Sequence, residues 1–308
     1  MMPYHTPVLL AESVAGLAIR PDGVYVDVTF GSGQSSRAIL SQLGPEGRLY
    51  AFDQDEDAQA NRIEDGRFTL ISANFSHIRN FLQFYGVEQV NGILADLGVS
   101  SHQFDVPERG FSTRFDGPLD MRMDRRKSLT AADVLATYGE EELARLFSRY
   151  GEVFNAKRLA AQVVKARAQR PLTQTSQLKE LLSGFVPKSK ENRYFAQVYQ
   201  ALRMEVNAEW EALEALLTQS VDLLLPGGRL VVISYHSIED RLVKQFLRSG
   251  NVEGKEEKDF YGNPLSPFRV ITRKAIVPPA AELQVNNRSR SARLRIGEKK
   301  QQDYGQSV

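Results

Sequence analysis

The stretch Val24-Tyr25-Val26-Asp27-Val28, followed by Phe30-Gly31-Ser32-Gly33, decides the fold. Its β-branched residues predict a strand, its two glycines predict a tight turn, and a helix is expected from Ser36 to Leu43. Similar strands are predicted at residues 49–52, 68–71 and 92–95, each preceded by helix-compatible sequence. Strands that alternate with helices predict an α/β protein with a parallel, doubly wound, Rossmann-like sheet.

The alternation of strands and helices stops after about residue 106. Thr130-Ala131-Ala132-Asp133 is a capping-box pattern, and residues 140–150 and 156–168 carry apolar side chains at helical spacing. The sheet pattern returns with an amphipathic helix from Val206 to Leu224 and a strand at residues 229–233. We therefore predict a discontinuous domain of residues 1–106 and 205–308, split by a helical insert of residues 107–204.

Charges are sorted along the chain, although the formal net charge is only +1. Residues 1–121 carry a net charge of −8, residues 122–203 carry +8, residues 204–268 carry −5, and residues 269–300 carry +7. Such blocks are expected when a scaffold is joined to two surfaces that contact a polyanion. Two solvated basic faces without a partner are the alternative.

The chain contains no cysteine, which excludes disulfides, thiolate metal sites and a cysteine nucleophile. The four histidines lie in distant segments, so no metal site is expected. No apolar run reaches the roughly 18 residues needed to span a bilayer, and the first residues lack a signal-peptide pattern. We expect a cytoplasmic protein that is not embedded in a membrane.

A nucleotide-type site is predicted after the first strand. Gly31 and Gly33 let a ligand approach bare backbone, and Asp53, 20 residues after Gly33, ends the next strand, where a carboxylate can bind ribose hydroxyls. A dinucleotide motif would need a further glycine where Ser36 stands. Asp27 would repel a pyrophosphate but would attract the cationic amino-acid end of S-adenosylmethionine. A tight turn without a ligand is the alternative.

The fourth predicted strand ends in Asp96-Leu97-Gly98-Val99-Ser100-Ser101. Ligands of open α/β sheets bind outside the carboxyl ends of the strands. Asp96 and Ser100 are therefore candidates to face the chemistry, with a turn or a helix cap as the alternative.

Seven segments together resemble the bacterial 16S rRNA cytosine-N4 methyltransferases, and they span nearly the whole chain: residues 5–10, 27–33, 96–101, 108–112, 116–124, 234–241 and 287–295. The resemblance implies a Rossmann-like S-adenosylmethionine domain interrupted by a helical substrate-recognition domain. It also implies methylation of a cytosine in the decoding region of 16S rRNA, on the RNA or on the small ribosomal subunit. The oligomeric state stays open, a homodimer included.

Position by position, the resemblance implies cofactor contacts at Gly33, Gln34, Ser35, Asp53, Phe75, Asp96 and Gln103. Asp27 and Gly31 join this set from the nucleotide-type motif. The family usually has Gly-His where this chain has Gln34-Ser35, so a side-chain contact there would differ. Phe75 is expected either near the adenine or in the core.

A sulfonium methyl group is already activated, so the enzyme mainly aligns donor and acceptor. An acceptor for one N–H of a cytosine amino group would turn the nitrogen lone pair toward the methyl group. Asp96 is our candidate, with Ser100 and His236 as weaker ones. Attack through ring carbon 5 would use a cysteine, which this chain lacks. The Asn/Asp-Pro-Pro-Tyr/Phe signature of many amino-group methyltransferases is also missing.

Five arginines are predicted to contact RNA. Arg109 and Arg122 lie at the start of the insert, and Arg288, Arg290 and Arg293 lie in the basic carboxyl-terminal segment, where Arg295, Lys299 and Lys300 continue the pattern. Two other functions stay open from the residues: an NAD-dependent oxidoreductase on a similar sheet, and a non-catalytic RNA-binding assembly factor of the ribosome.

Overall fold

A computed structural model describes residues 7–262 and 264–301 of the protein. The chain divides into two compact units. Unit 1 comprises the residues up to Gly98 together with those from Glu211 onward, and unit 2 comprises Val99–Trp210. The predicted insert, residues 107–204, lies inside unit 2, and its role in substrate recognition stays a prediction. His5 and Thr6, which begin the first family-like segment, lie outside the described residues.

One sheet in unit 1 contains seven strands of the described chain, in the order β3-β2-β1-β4-β5-β7-β6. Its strands are β1 (Val24–Asp27), β2 (Arg48–Phe52), β3 (Phe68–Ile71), β4 (Val90–Asp96), β5 (Leu224–Ser234), β6 (Phe268–Val270) and β7 (Arg293–Lys299). The first five strands pair in parallel, which confirms the predicted α/β sheet. Strand β7 is antiparallel to both β5 and β6.

The strand order reverses direction between β1 and β4. The chain moves outward from β1 to β3 on one side, whereas β4 and β5 follow on the other side. Open α/β sheets bind ligands at such a switch point, in the crevice beyond the strand ends. In the sheet register Asp27 of β1 lies opposite Leu94 of β4, so the two carboxyl ends share one edge.

Helices are numbered along the whole chain: α1 (Leu10–Gly16), α2 (Gln34–Leu40), α3 (Ile78–Phe84), α4 (Ser101–Asp105), α5 (Ala131–Thr137), α6 (Glu140–Gly151), α7 (Ala156–Gln169), α8 (Thr175–Leu182), α9 (Lys188–Asn207), α10 (Glu209–Leu223), α11 (Ser237–Ser249) and α12 (Ala280–Val285). Helix α11 illustrates how an amphipathic helix covers the sheet. Its residues Leu242, Val243 and Phe246 recur at helical spacing and are buried.

Unit 2 is helical because its sequence caps and buries helices locally. The Thr130 hydroxyl accepts a hydrogen bond from the backbone N–H of Asp133 (3.1 Å), which starts α5 as the capping-box pattern predicts. Helix α6 buries Leu143, Phe147 and Tyr150 on one face and packs against α7 and α9. No helix among the described residues is long and apolar enough to cross a membrane.

The helix predicted from Val206 to Leu224 is confirmed over Glu209–Leu223, but it is separated from Val206 by a break. Helix α9 ends at Asn207, Ala208 adopts a left-handed φ of 51°, and α10 begins at Glu209. The Asn207 side chain accepts a hydrogen bond from the backbone N–H of Met123 (2.7 Å) and donates one to the carbonyl of Met121 (2.7 Å). These contacts to a distant segment favour a break that an apolar periodicity cannot reveal.

Candidate active site at the carboxyl edge of the sheet

The loop after β1 is held by the buried side chain of Asp27. This carboxylate is 0% exposed and accepts hydrogen bonds from the Ser36 hydroxyl (2.7 Å) and the backbone N–H of Thr29 (3.1 Å). Burial raises the pKa of Asp27, and the bonds from Ser36 and Thr29 oppose the rise. Asp27 therefore supports the loop from inside, rather than facing a ligand as the sequence suggested.

Ser36 has a structural role that sequence reasoning missed. We interpreted it only as the residue that replaces a dinucleotide-type glycine. In the structure its hydroxyl ties α2 to the end of β1 through Asp27. A small hydroxyl residue nine positions after a strand-end aspartate was the available signal.

Gly31 and Gly33 hold the loop in a conformation that a residue with a side chain rarely adopts. Gly31 and Gly33 have φ values of 50° and 75°, in the left-handed region. A Cβ added to Gly33 would lie 2.8 Å from the ring of Phe30. Gly33 also caps α2 and offers no side-chain oxygen to the first turn, where Gln34 and Ser35 are partly exposed. The loop can therefore present backbone N–H groups to a ligand.

Asp53 lies beside this loop, directly after β2. Its Oδ2 accepts a hydrogen bond from the backbone N–H of Gly31 (2.8 Å), and its Oδ1 accepts one from that of Asp55 (2.9 Å). Burial raises the pKa of Asp53 to about 6, although both backbone bonds oppose the rise. Each oxygen keeps a further acceptor position, and the side chain is partly exposed. Asp53 can thus accept hydrogen bonds from ribose hydroxyls.

Phe75 follows β3 in a short 3-10 turn. The Asn74 side chain accepts a hydrogen bond from the backbone N–H of Ser76 (2.8 Å) and donates one to Gln54 (2.9 Å), which fixes this turn. Phe75 is partly exposed and does not belong to the buried core. The ring is therefore available to stack on a ligand.

Asp96 ends β4 and is hydrogen-bonded to Tyr235. The Tyr235 hydroxyl donates to Oδ1 of Asp96 (2.9 Å), and the backbone N–H of Asp96 donates to the Thr29 hydroxyl (2.7 Å). Burial raises the pKa of Asp96 to about 7, and the charges of Asp27 and Glu239 add to the rise. The Tyr235 hydrogen bond opposes it. Near neutral pH, Asp96 can therefore both accept and release a proton.

Tyr235 is the residue of this site that the sequence analysis missed. It follows β5, the strand next to β4, and burial together with the charge of Asp96 raises its pKa well above the ordinary value. The phenol therefore keeps its proton and acts as a donor. Its position directly before His236, in a family-like segment, was the available signal.

His236 lies at the amino end of α11 and is partly exposed. Its backbone N–H and that of Tyr235 both donate to Oε2 of Glu239, at 3.3 and 3.2 Å. These bonds fix the turn between β5 and α11. His236 thus directly follows Tyr235, the partner of Asp96.

Ser100 and Gln103 belong to unit 2, where they form a capping box at the start of α4. The Ser100 hydroxyl accepts from the backbone N–H of Gln103 (3.2 Å), and the Gln103 side chain accepts from that of Ser100 (3.0 Å). Ser100 is therefore a helix cap, the alternative that the sequence also allows. Any catalytic or cofactor role of these two residues stays a prediction.

Arg109 is not available to RNA, which corrects the prediction for that residue, whereas an RNA contact of the partly exposed Arg122 stays a prediction. Arg109 is 1% exposed, and its guanidinium donates to the carbonyls of Arg122 (3.0 Å) and Met123 (3.2 Å). Arg122 forms a two-point ion pair with Asp120 (2.9 and 2.7 Å) and donates to the Lys127 carbonyl (2.6 Å). Both arginines stabilise the conformation of the segment that contains them, because their guanidinium groups bind its carbonyls.

The carboxyl-terminal cations divide into accessible and buried ones. Arg290 is exposed, Arg288 is partly exposed, and the Arg293 side chain is 54% exposed, with Asp240 at 3.3 Å. Arg295 is buried in a two-point pair with Asp240, and Lys299 is buried with its ammonium on the Val221 carbonyl (2.6 Å). The expected continuation of the RNA-binding pattern into Arg295 and Lys299 is therefore wrong.

The strand order arranges these groups along one edge. Phe75, Asp53, Gly33 and Asp96 follow β3, β2, β1 and β4, which are successive neighbours in the sheet. An aromatic face, a diol acceptor and a glycine-bearing loop fit an adenosine with a polar extension, and Asp96 ends the next strand, β4. Among the described residues, no group of three or more His, Asp or Glu side chains could hold a metal ion.

Comparison with known proteins identifies the relatives of this chain. The sequence model of the MraW methylase family matches residues 2–300. A protein named ribosomal RNA small subunit methyltransferase H from Flavobacterium johnsoniae is 57% identical, and the alignment covers 97% of this chain and 98% of that protein. A protein of the same name from Bacteroides thetaiotaomicron is 55% identical over 96% and 98% of the two chains. The solved structure of an rRNA methylase from Streptococcus thermophilus is 13% identical, with a TM-score of 0.41 over 97% of this chain and 99% of that chain.

Proposed function

The chain belongs to the MraW methylase family, and on that premise we propose that it transfers a methyl group from S-adenosylmethionine to the exocyclic N4 of a cytosine in the decoding region of 16S rRNA. Relatives of more than half identical sequence, named as small-subunit rRNA methyltransferases, support the RNA substrate. The Asp96–Tyr235 pair beside the glycine loop is the observation that carries the chemistry.

The loop and strand ends fit S-adenosylmethionine, which supplies a methyl group bound to a positively charged sulfur. Phe75 would contact the adenine, Asp53 would accept the ribose hydroxyls, and the backbone around Gly33 to Ser35 would hold the amino-acid portion. The partly exposed first turn of α2, where Gln34 and Ser35 follow Gly33, supports this placement. Asp27, enclosed behind the loop, would add negative potential toward the cationic end of the cofactor.

Asp96 would accept a hydrogen bond from the cytosine amino group. In its ionised form the carboxylate turns the nitrogen lone pair away from the ring and toward the methyl group, and then takes the proton that the nitrogen loses. A pKa of about 7 suits this exchange, because the group is sufficiently ionised to accept a proton and basic enough to hold it. The absence of cysteine supports attack by nitrogen rather than by ring carbon 5.

Tyr235 would act as a positioning residue. Its hydroxyl holds Oδ1 of Asp96 at 2.9 Å, which leaves Oδ2 for the amino group. His236 remains the second candidate for proton transfer, because it is partly exposed at the same edge of the sheet. Ser100 is a weaker candidate, because its hydroxyl already accepts the cap bond of α4.

Mass mapping of methylated nucleotides in small-subunit rRNA, with and without this protein, tests the proposal. One cytosine should lose a methyl group on its amino nitrogen when the protein is absent, and adding wild-type protein with cofactor should restore it. Asp96→Ala should lower methyl transfer by about 100-fold or more, with cofactor binding measured separately. A methyl group on carbon 5, or full activity of Asp96→Ala, would contradict this reaction.

The two other functions are weaker. Membership in a methylase family disfavours an NAD-dependent oxidoreductase. A non-catalytic assembly factor would bind the subunit but would leave the methylation pattern unchanged in the mapping experiment. A cytoplasmic location follows from the proposed substrate, and a homodimer stays a prediction.

A further inference from the structure

A cleft of about 280 Å³ lies in unit 1, between α11, β6 with the residues that follow it, and β7. None of its lining residues takes part in the candidate active site. Its lining combines aliphatic side chains with four basic ones, and no acidic residue contributes to it. Such a lining favours a ligand that is apolar in one part and anionic in another.

The positive charge at the cleft is only partly neutralised. Arg295 is paired with Asp240 (2.5 and 3.1 Å), and the exposed Arg248 is paired with Glu256 (2.6 Å). Lys244 and Arg273 are exposed and have no acidic partner within 4.0 Å in the described part of the chain. Two cations therefore remain for an anionic ligand.

The inner part of the cleft is apolar. Leu247, which is 1% exposed, and the half-buried Val270 line it. Thr272 lies beside them, and its hydroxyl oxygen accepts a hydrogen bond from the backbone N–H of Ile296 (2.9 Å). This bond holds the buried Thr272 side chain in place beside the apolar residues.

We propose that this cleft binds an unpaired nucleotide of the RNA substrate, with the base over Leu247 and Val270 and the adjoining phosphates at Lys244 and Arg273. The proposal rests on the proposed function, since it assumes that the polyanion is RNA. A base offers a flat, weakly polar face, and its phosphates are the anionic part that the rim requires.

The strand register shows where the cleft lies relative to Asp96. Asp96 pairs with Ile233, and the adjacent residue Ser234 pairs with Arg293. Because β4 and β7 flank β5, Arg293 lies about 10 Å from Asp96 across the sheet. Arg295 pairs with Val232 and Val270 pairs with Gly297, so both lie further from the carboxyl edge than Arg293, at a distance that several nucleotides of RNA can span. One RNA strand can therefore reach the cleft and the reacting base together.

Binding of a fluorescein-labelled single-stranded RNA of about 12 nucleotides, measured against salt concentration, tests the proposal. Lys244→Ala and Arg273→Ala should each weaken binding about fivefold and reduce the slope of log K against log salt by about 0.7. Val270→Ala removes apolar contact but no charge, so it should weaken binding about threefold and leave the slope unchanged.

The matched control is Arg20→Ala, which removes one exposed cation just before β1, three strands away from β7 in the sheet. Its affinity and salt slope should equal those of the wild type. Unchanged slopes in both charge variants would overturn the proposal, as would an unchanged affinity in Val270→Ala. Wild-type protein that binds this RNA through the cleft but methylates no small-subunit rRNA would instead contradict the proposed function alone.

Discussion

At the scale of single residues, the site depends on how neighbours set the charge of Asp96. Burial destabilises its ionised form, and the hydrogen bond from Tyr235 partly stabilises that form. A carboxylate that is half ionised near pH 7 is sensitive to the loss of one donor. Asp96 and Tyr235 therefore behave as a pair, although Asp96 ends β4 and Tyr235 follows β5.

We expect Tyr235→Phe to move the acid limb of the pH profile of kcat/KM upward by about one unit. The lost hydrogen bond favoured the ionised carboxylate, so its removal raises the pKa of Asp96, and a larger fraction is protonated at pH 7. Activity should fall about fivefold at pH 7 and recover at higher pH. Tyr261→Phe, which changes an exposed tyrosine, is the control. A uniform loss at every pH would point to a packing defect instead.

At the scale of elements, buried polar side chains hold the irregular segment between α4 and α5. The Arg109 guanidinium binds two carbonyls of this segment, and its own carbonyl accepts from the backbone N–H of Met121 (3.0 Å). Asn207 at the end of α9 donates to the Met121 carbonyl (2.7 Å). Where the chain forms no helix, side chains from residues distant in sequence donate hydrogen bonds to the backbone carbonyls.

Arg109→Ala should lower the free energy of unfolding by about 2–3 kcal/mol, because it leaves buried carbonyls without donors. Urea denaturation monitored by circular dichroism measures this loss. Arg114→Ala, at an exposed arginine of the same segment, should change stability by less than about 0.5 kcal/mol. Unchanged stability in Arg109→Ala, combined with weaker RNA binding, would restore the direct RNA contact that the sequence suggested.

At the scale of the whole molecule, not every charged side chain of the basic blocks lies at the protein surface. Several cations of the basic blocks are used inside the protein, as Arg295 and Lys299 show. The polyanion-binding surface is therefore smaller than the net charges indicate. Its accessible members near β7 are Arg288, Arg290 and Arg293.

Replacing Arg288, Arg290 and Arg293 together by alanine should reduce the salt slope of RNA binding by about 1.4. Three independent phosphate contacts would give about 2.1, but Asp240 already neutralises part of the charge of Arg293. Cofactor affinity, measured by calorimetry, should stay unchanged. A slope equal to that of the wild type would show that this segment does not contact phosphates.

Patterns within a few residues made the fold predictable. The strand-turn-helix unit at Asp27–Gly33, the capping box at Thr130 and the acidic strand ends are local signals, and each corresponds to an element in the structure. Tyr235, the burial of Arg109 and the break at Ala208 depend on partners more than ten residues away. A single sequence does not reveal such partners, because propensity and periodicity describe only neighbours along the chain.

The pairing of β4 with β5 has a consequence for how the protein is made. Asp96 lies opposite Ile233, so all of unit 2 must be synthesised before this pairing can form. Closing so long a stretch of chain costs entropy and slows folding. Until β5 emerges from the ribosome, the nascent chain exposes the unpaired edge of β4, an apolar strand that can associate with other chains.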